Sequence, residues 1–205
     1  MRISRLLAGM LPSGSIQTRR FLPALFLFAL ATGALIAFFE QAPAYDWLAP
    51  ALALLTAALL AVAVPLAAQR FTLSGWKQFF LYTAGLLYPF LLLLATHGAH
   101  PAVSITRFLP ALIAAGALVP YFACHEPGTF HGTLTALGGR ALISAFYALL
   151  VFAGISLAIL SLDALFELRP GHRPFLWVWT ICALFYAPAL FLTTFPASTP
   201  PDRPI

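Results

Sequence analysis

Six long apolar runs constrain this chain more than any other feature. They cover residues 21–39, 47–68, 79–96, 108–124, 141–162 and 175–195, and none contains Asp, Glu, Lys, Arg or His. An α-helix rises 1.5 Å per residue, so about 20 apolar residues cross a hydrocarbon core roughly 30 Å thick. The run at 108–124 is the shortest of the six. Backbone polar groups in lipid must bond within their own segment, which favours helices. A transmembrane β-barrel needs short stretches of alternating polarity, and these runs are continuously apolar. The expectation is an all-α, polytopic transmembrane helical bundle of six spans. Composition agrees: 8% of the residues are charged, against about 25% in a typical soluble domain. The lipid bilayer is the partner this implies.

Charge between the runs predicts orientation. With alternating crossings, one side collects Arg2, Arg5, Arg19, Arg20, Arg70, Lys77, Arg140 and Arg203, and the other only Arg107, Arg169 and Arg173. The positive-inside rule then places both termini in the cytoplasm. The excess of 11 Lys+Arg over 6 Asp+Glu is thus an orientation signal, and no basic run of nucleic-acid type is present. Trp47, Trp76, Trp177 and Trp179 fall near predicted helix ends, where amphipathic rings prefer the headgroup region. The domain plan is a cytoplasmic segment 1–20, a six-helix domain 21–195 and a short Pro-rich cytoplasmic tail 196–205.

Within the first segment, Ile3, Leu6, Leu7, Met10 and Leu11 follow helical spacing, which suits a short amphipathic helix on the inner membrane surface. A frayed terminus is the alternative. The stretch "TRRFLPALFLFALATGALIA" before "QAPA" also has the look of a signal peptide cut after Ala44. Its 19-residue apolar run exceeds the usual signal core of about 7–15 residues, so an uncleaved first helix is expected.

Two histidine-bearing stretches invite a metal reading. "THGAHP" holds His97 and His100, and "CHEPGTFH" holds Cys124, His125, Glu126 and His131. Zinc ligands must converge within about 2.0–2.3 Å of one ion, and the predicted topology puts the two stretches on opposite faces. Alone, each falls short: the first has two ligands, and in the second Cys124 and His125 point about 100° apart if helical. The second also reads as a helix end, with Pro127-Gly128 as stop signals and a histidine favoured by the helix dipole. No metal or other cofactor is expected. Cys124 and Cys182 are lone thiols in different apolar runs and read as small packing residues.

The outer face carries a second candidate. "SLDALFELRPGHRP" places Asp163 and Glu167 four apart on an outward extension of the fifth helix, followed by Arg169, His172 and Arg173. His97, His100 and Arg107 are predicted on the same side. Acids beside histidines at a membrane surface suit general acid–base chemistry or ion binding. The simpler reading is a solvated interface with the acids paired to local arginines.

The apolar interiors disfavour an ion or proton pump, which generally carries ionisable groups within its spans. Small residues four apart, at Gly33/Ala37, Ala111/Ala115 and Gly154/Ala158, suit close helix contact. Pro50, Pro65, Pro89, Pro120 and Pro188 lie inside runs, where each removes a backbone hydrogen bond and tends to kink the helix. Broken helices can form a midplane substrate site, or merely bend against their neighbours. "RFLPAL" occurs at 20–25 and again at 107–112, and "LLYPFLLLL" is echoed by "LFYAPALFL". These echoes suit a 3+3 inverted repeat, although Arg followed by an early Pro is also a natural helix opening.

In the last third, "ALISAFYALLVFAGISLAILSLDALFEL" and "FLWVWTICALFYAPALFLTTFP" resemble the DUF4153 family of bacterial membrane proteins. The shared features are Gly154-Ile155-Ser156, Asp163-Ala164-Leu165-Phe166 and a last helix closing on Pro196. The resemblance implies a bacterial inner membrane and supplies no catalytic residues. Members generally continue into further apolar segments and a Leu-Pro-x-Gly-Trp-like motif, whereas this sequence ends "PASTPPDRPI", so the chain reads as a short or truncated relative. Three functions follow. The first is a structural or accessory protein acting through helix association with other membrane helices or a second copy. The second is a small transporter or channel for an uncharged or apolar solute. The third is a membrane-surface enzyme using the outer acids and histidines, and non-enzymatic roles are favoured over it.

Overall fold

The computed structural model describes residues 21–40, 45–71, 75–96, 101–123, 130–167 and 171–194, and no strand occurs among them. The helices are α1 (Leu22–Glu40), α2 (Tyr45–Arg70), α3 (Gly75–Thr96), α4 (Pro101–Ala123), α5 (Phe130–Phe166), α6 (Arg173–Ile181) and α7 (Ala187–Thr193). A π-helical turn, Cys182–Tyr186, joins α6 to α7, so that Arg173–Thr193 runs on as one rod. Among the described residues, six helical segments are long and apolar enough to cross a membrane. The amphipathic reading of 1–20 and the tail 196–205 lie outside the described residues.

Two helices run further than their apolar runs. α4 begins at Pro101 rather than 108 and is 23 residues long, because proline is pre-organised for the first helical position. Arg107 does not stop it: the guanidinium reaches out and donates to the Ala95 carbonyl at 2.7 Å. α5 begins at Phe130 and is 37 residues long, about 55 Å at helical rise. The stretch expected to be a polar loop after Cys124 is therefore largely its first turns. Leu134, Ala136 and Leu137 supply helix propensity there, and Leu137 is buried.

α2 is the centre of the bundle, packed against α1, α3 and α4. Its buried positions are mostly methyl-sized, including Ala53, Ala57, Ala58, Ala61, Ala63 and Ala67. Lipid tails are as apolar as leucine, so helices associate in a membrane through close packing, and small side chains allow it. Gly85 of α3 meets the same surface, with the Leu60 Cβ 3.6 Å from where its own Cβ would stand. Phe108 of α4, wholly buried, packs with Ala49 and Ala53. On the other side α5 lies mainly along α7 and the π turn, while α6, the π turn and α7 also touch α1. Buried Thr32, Thr56 and Thr180 return their hydroxyls to the carbonyls of Phe28, Leu52 and Leu176 at 2.7–2.8 Å, as polar groups in lipid require.

Of the three small-residue pairs, Ala111 and Ala115 are buried. Gly33, Gly154 and Ala158 are exposed, and open space surrounds Gly33 and Gly154.

Candidate functional site

A cavity of about 470 Å³ opens where α1, α2, α4, α5, the π turn and α7 meet. Its walls include Phe28, Leu59, Val62, Val119, Leu137 and Leu192, which also belong to or pack on the main core cluster. The cavity thus borders the core and opens outward past the exposed residues Leu134, Gly138 and Ala141. Every wall residue is apolar or small except Ser144, which is 3% exposed. Two glycines, Gly116 and Gly138, line it, and a Cβ added at either would meet nothing within 4 Å. The wall segments of α4, α5 and α7 lie toward the end of the bundle where α1 begins, and that of α2 lies at mid-helix.

The π turn has a cause in the sequence. Pro188 has no N–H, and in an α-helix its ring would crowd the carbonyl of Leu184. Widening the preceding turn relieves the crowding: the Ala187 N–H donates instead to the Cys182 carbonyl, five residues back. The widened turn sets Ala183, Leu184 and Ala187 into the cavity wall together with Pro188. Pro120, in α4, lines the same cavity. Pro50 and Pro65 lie inside α2 and Pro89 inside α3, and α-helix continues through all three. Pro65 borders a different recess of about 500 Å³, lined by Ala68, Gln69, Gln78 and Tyr82. The residues lining that recess come from two helices, whereas those lining the apolar cavity come from α1, α2, α4, α5, the π turn and α7.

Guanidinium groups close helix ends. A helix C-terminus carries unpaired carbonyls and partial negative charge, so a cation is favoured beside it. Arg70, at the end of α2, donates to the Tyr121 carbonyl near the end of α4, with its carbon 4.6 Å from the Tyr121 ring centroid. Arg140 of α5 donates to the Thr194 carbonyl just past α7 at 2.8 Å. Arg107 does the same for α3 at the opposite end.

The outer polar residues are distributed differently from the helical expectation. α5 ends at Phe166, and Glu167 adopts a left-handed backbone with φ 51°. Its N–H donates to the Asp163 carbonyl at 2.7 Å, a helix-terminating geometry. Asp163 and Glu167 therefore do not continue one helical face. His172, exposed, stands at the N-cap of α6 without a side-chain capping bond. Arg107 is exposed and engaged with α3. His97, His100 and Arg169 lie outside the described residues, as do Cys124, His125 and Glu126. His131 is exposed in the first turn of α5. Among the described residues, no three His, Cys, Asp or Glu side chains converge as metal ligands.

The cavity was not apparent from the spans alone. Its signals were Pro120 and Pro188 on different helices, each within a few residues of a glycine or alanine on the inward face. Compared with known protein families, curated proteins and solved structures, the chain matches none.

Proposed function

We propose that this is a multi-pass protein of the bacterial inner membrane, with both termini cytoplasmic, that takes up an uncharged or apolar solute within its bundle. One observation carries the reading: the cavity of about 470 Å³ bordered by Pro120, Pro188 and the π turn. Ligand sites are typically concave, mostly apolar and about 300–1,000 Å³, with few polar groups. The charge asymmetry of the loops supports the orientation, and the resemblance of the last two spans to the DUF4153 proteins supports the bacterial inner membrane.

The test is saturable labelling by a linear fatty alcohol bearing a diazirine on its chain. Carbene insertion into 183–192 should saturate and be competed by the unmodified alcohol. Gly138→Phe, which fills open space, should abolish the saturable part. Labelling of 183–192 that never saturates, or that persists unchanged in Gly138→Phe, would remove the site.

A second reading is association with other helices through α5. Leu142, Ile143, Phe146, Tyr147, Leu149 and Leu150 are all exposed on it. Crosslinking between copies through single cysteines along α5 tests this, and a uniform absence of crosslinks along the helix would count against self-association.

A further inference from the structure

We propose that the cavity holds one acyl chain of an anionic phospholipid, whose phosphate is met by Arg140. The inference rests on the reading of an apolar site in the bundle, and replaces a wholly uncharged solute with an acyl chain that carries an anionic head.

The position of Arg140 is the ground for it. It follows Gly138 and precedes Ala141, both of the cavity wall. Its guanidinium bonds the Thr194 carbonyl, two residues beyond Leu192 on the opposite wall. The charge therefore sits on the rim, where α5 and α7 come together. The hydrogen bond to Thr194 uses one of the five guanidinium N–H donors, and the planar fork suits phosphate oxygens. Arg70 lies at the same end of the bundle, held at Tyr121, the residue after the wall residue Pro120. An apolar chamber rimmed by guanidinium matches a molecule with a hydrocarbon chain and an anionic head. An uncharged hydrocarbon would have no use for the rim, and a free anion none for the chamber. Within the chamber, Ser144, 3% exposed, supplies the hydroxyl of the wall. It stands where an ester carbonyl or an unsaturated segment of the chain would pass. Basic sites between helices on the cytoplasmic side are a recurrent way of holding anionic lipid.

The experiment is native mass spectrometry of the whole protein, stripped of lipid and titrated with dioleoyl phosphatidylglycerol or dioleoylglycerol. These share their chains, and only the first carries the phosphate. The wild type should bind phosphatidylglycerol about tenfold more tightly, the scale of one charge-assisted hydrogen bond. Arg140→Gln should lose that preference and Arg140→Lys should keep most of it. Gly138→Phe and, independently, Gly116→Leu should remove saturable binding of both lipids.

Equal affinity of the wild type for the two lipids would overturn the headgroup assignment and leave the apolar site standing. An equal loss for both in Arg140→Gln would mean that only the tie to Thr194 had been broken, and would overturn it too. Competition by inorganic phosphate as effective as by the lipid would place an anion on the rim without a chain, against the proposal. Saturable binding of neither lipid in the wild type would overturn the proposal, and failure of the fatty-alcohol labelling as well would overturn the reading beneath it.

Discussion

α2 and α5 are equally apolar by mean hydropathy, yet 67% of the most apolar stretch of α2 is buried and only 11% of that of α5. Hydropathy fixes that a helix enters the membrane, and side-chain size decides what it meets there. The buried face of α2 is mostly alanine and valine, which lets α1, α3 and α4 approach closely enough for dense contact. α5 presents Leu142, Ile143, Phe146, Leu157 and Leu165 outward, side chains that hydrocarbon solvates as well as another helix would. Where the crowded half of the bundle meets the loosely packed half, the core fails to close and the cavity remains.

The contrast can be broken first at Ala58, which is wholly buried. Ala58→Leu should destabilise by about 2–3 kcal/mol through overpacking, read as a lower unfolding midpoint in mixed micelles. A change under about 0.5 kcal/mol would show that α2 is not tightly packed. Arg70→Gln should cost about 2 kcal/mol, since it removes both a charge-assisted hydrogen bond and a contact with the Tyr121 ring. Arg70→Lys should recover only part of this, because the planar fork is lost.

Pro188→Ala sharpens the contrast from the other side. Restoring an N–H allows ordinary α-helix through 182–187, which should stabilise the rod by about 1 kcal/mol and weaken fatty-alcohol binding by reshaping the wall. Unchanged binding would detach the π turn from the site. Glu167→Gly should stabilise by about 1 kcal/mol or less, since glycine adopts φ 51° without steric cost. Smallest of all, Leu142→Ala on α5, where Leu142 is 73% exposed, should stay within about 0.5 kcal/mol.

The number of spans was legible because the absence of charge over about 20 residues has one physical outcome for a helix. The helix bounds were less so. Arg107 and Arg140 immediately precede apolar runs, yet each lies inside a helix and reaches a carbonyl at the end of a neighbouring one, a contact that no window along the chain can register. Pro188 announced a disturbance in the last span, but whether a proline bends a helix, widens a turn or is simply absorbed depends on what packs beside it. Pro65 and Pro89 sit in continuous α-helix, whereas Pro188 follows a π turn. Asp163 and Glu167 showed helical spacing, and only backbone geometry at Glu167 separates them. Small-residue pairs were equally ambiguous: Ala111/Ala115 faces the core, but Gly154/Ala158 has the same spacing and faces outward.

The division between α2 and α5 is tested most directly by labelling the protein in its native membrane with a lipid-soluble diazirine too small to prefer any site, followed by peptide mapping. Insertion should concentrate at 142–150 and 155–162 of α5 and be near background at 57–64 of α2. Comparable insertion along α2 would contradict a bundle centred on that helix, and with it the cavity at its side.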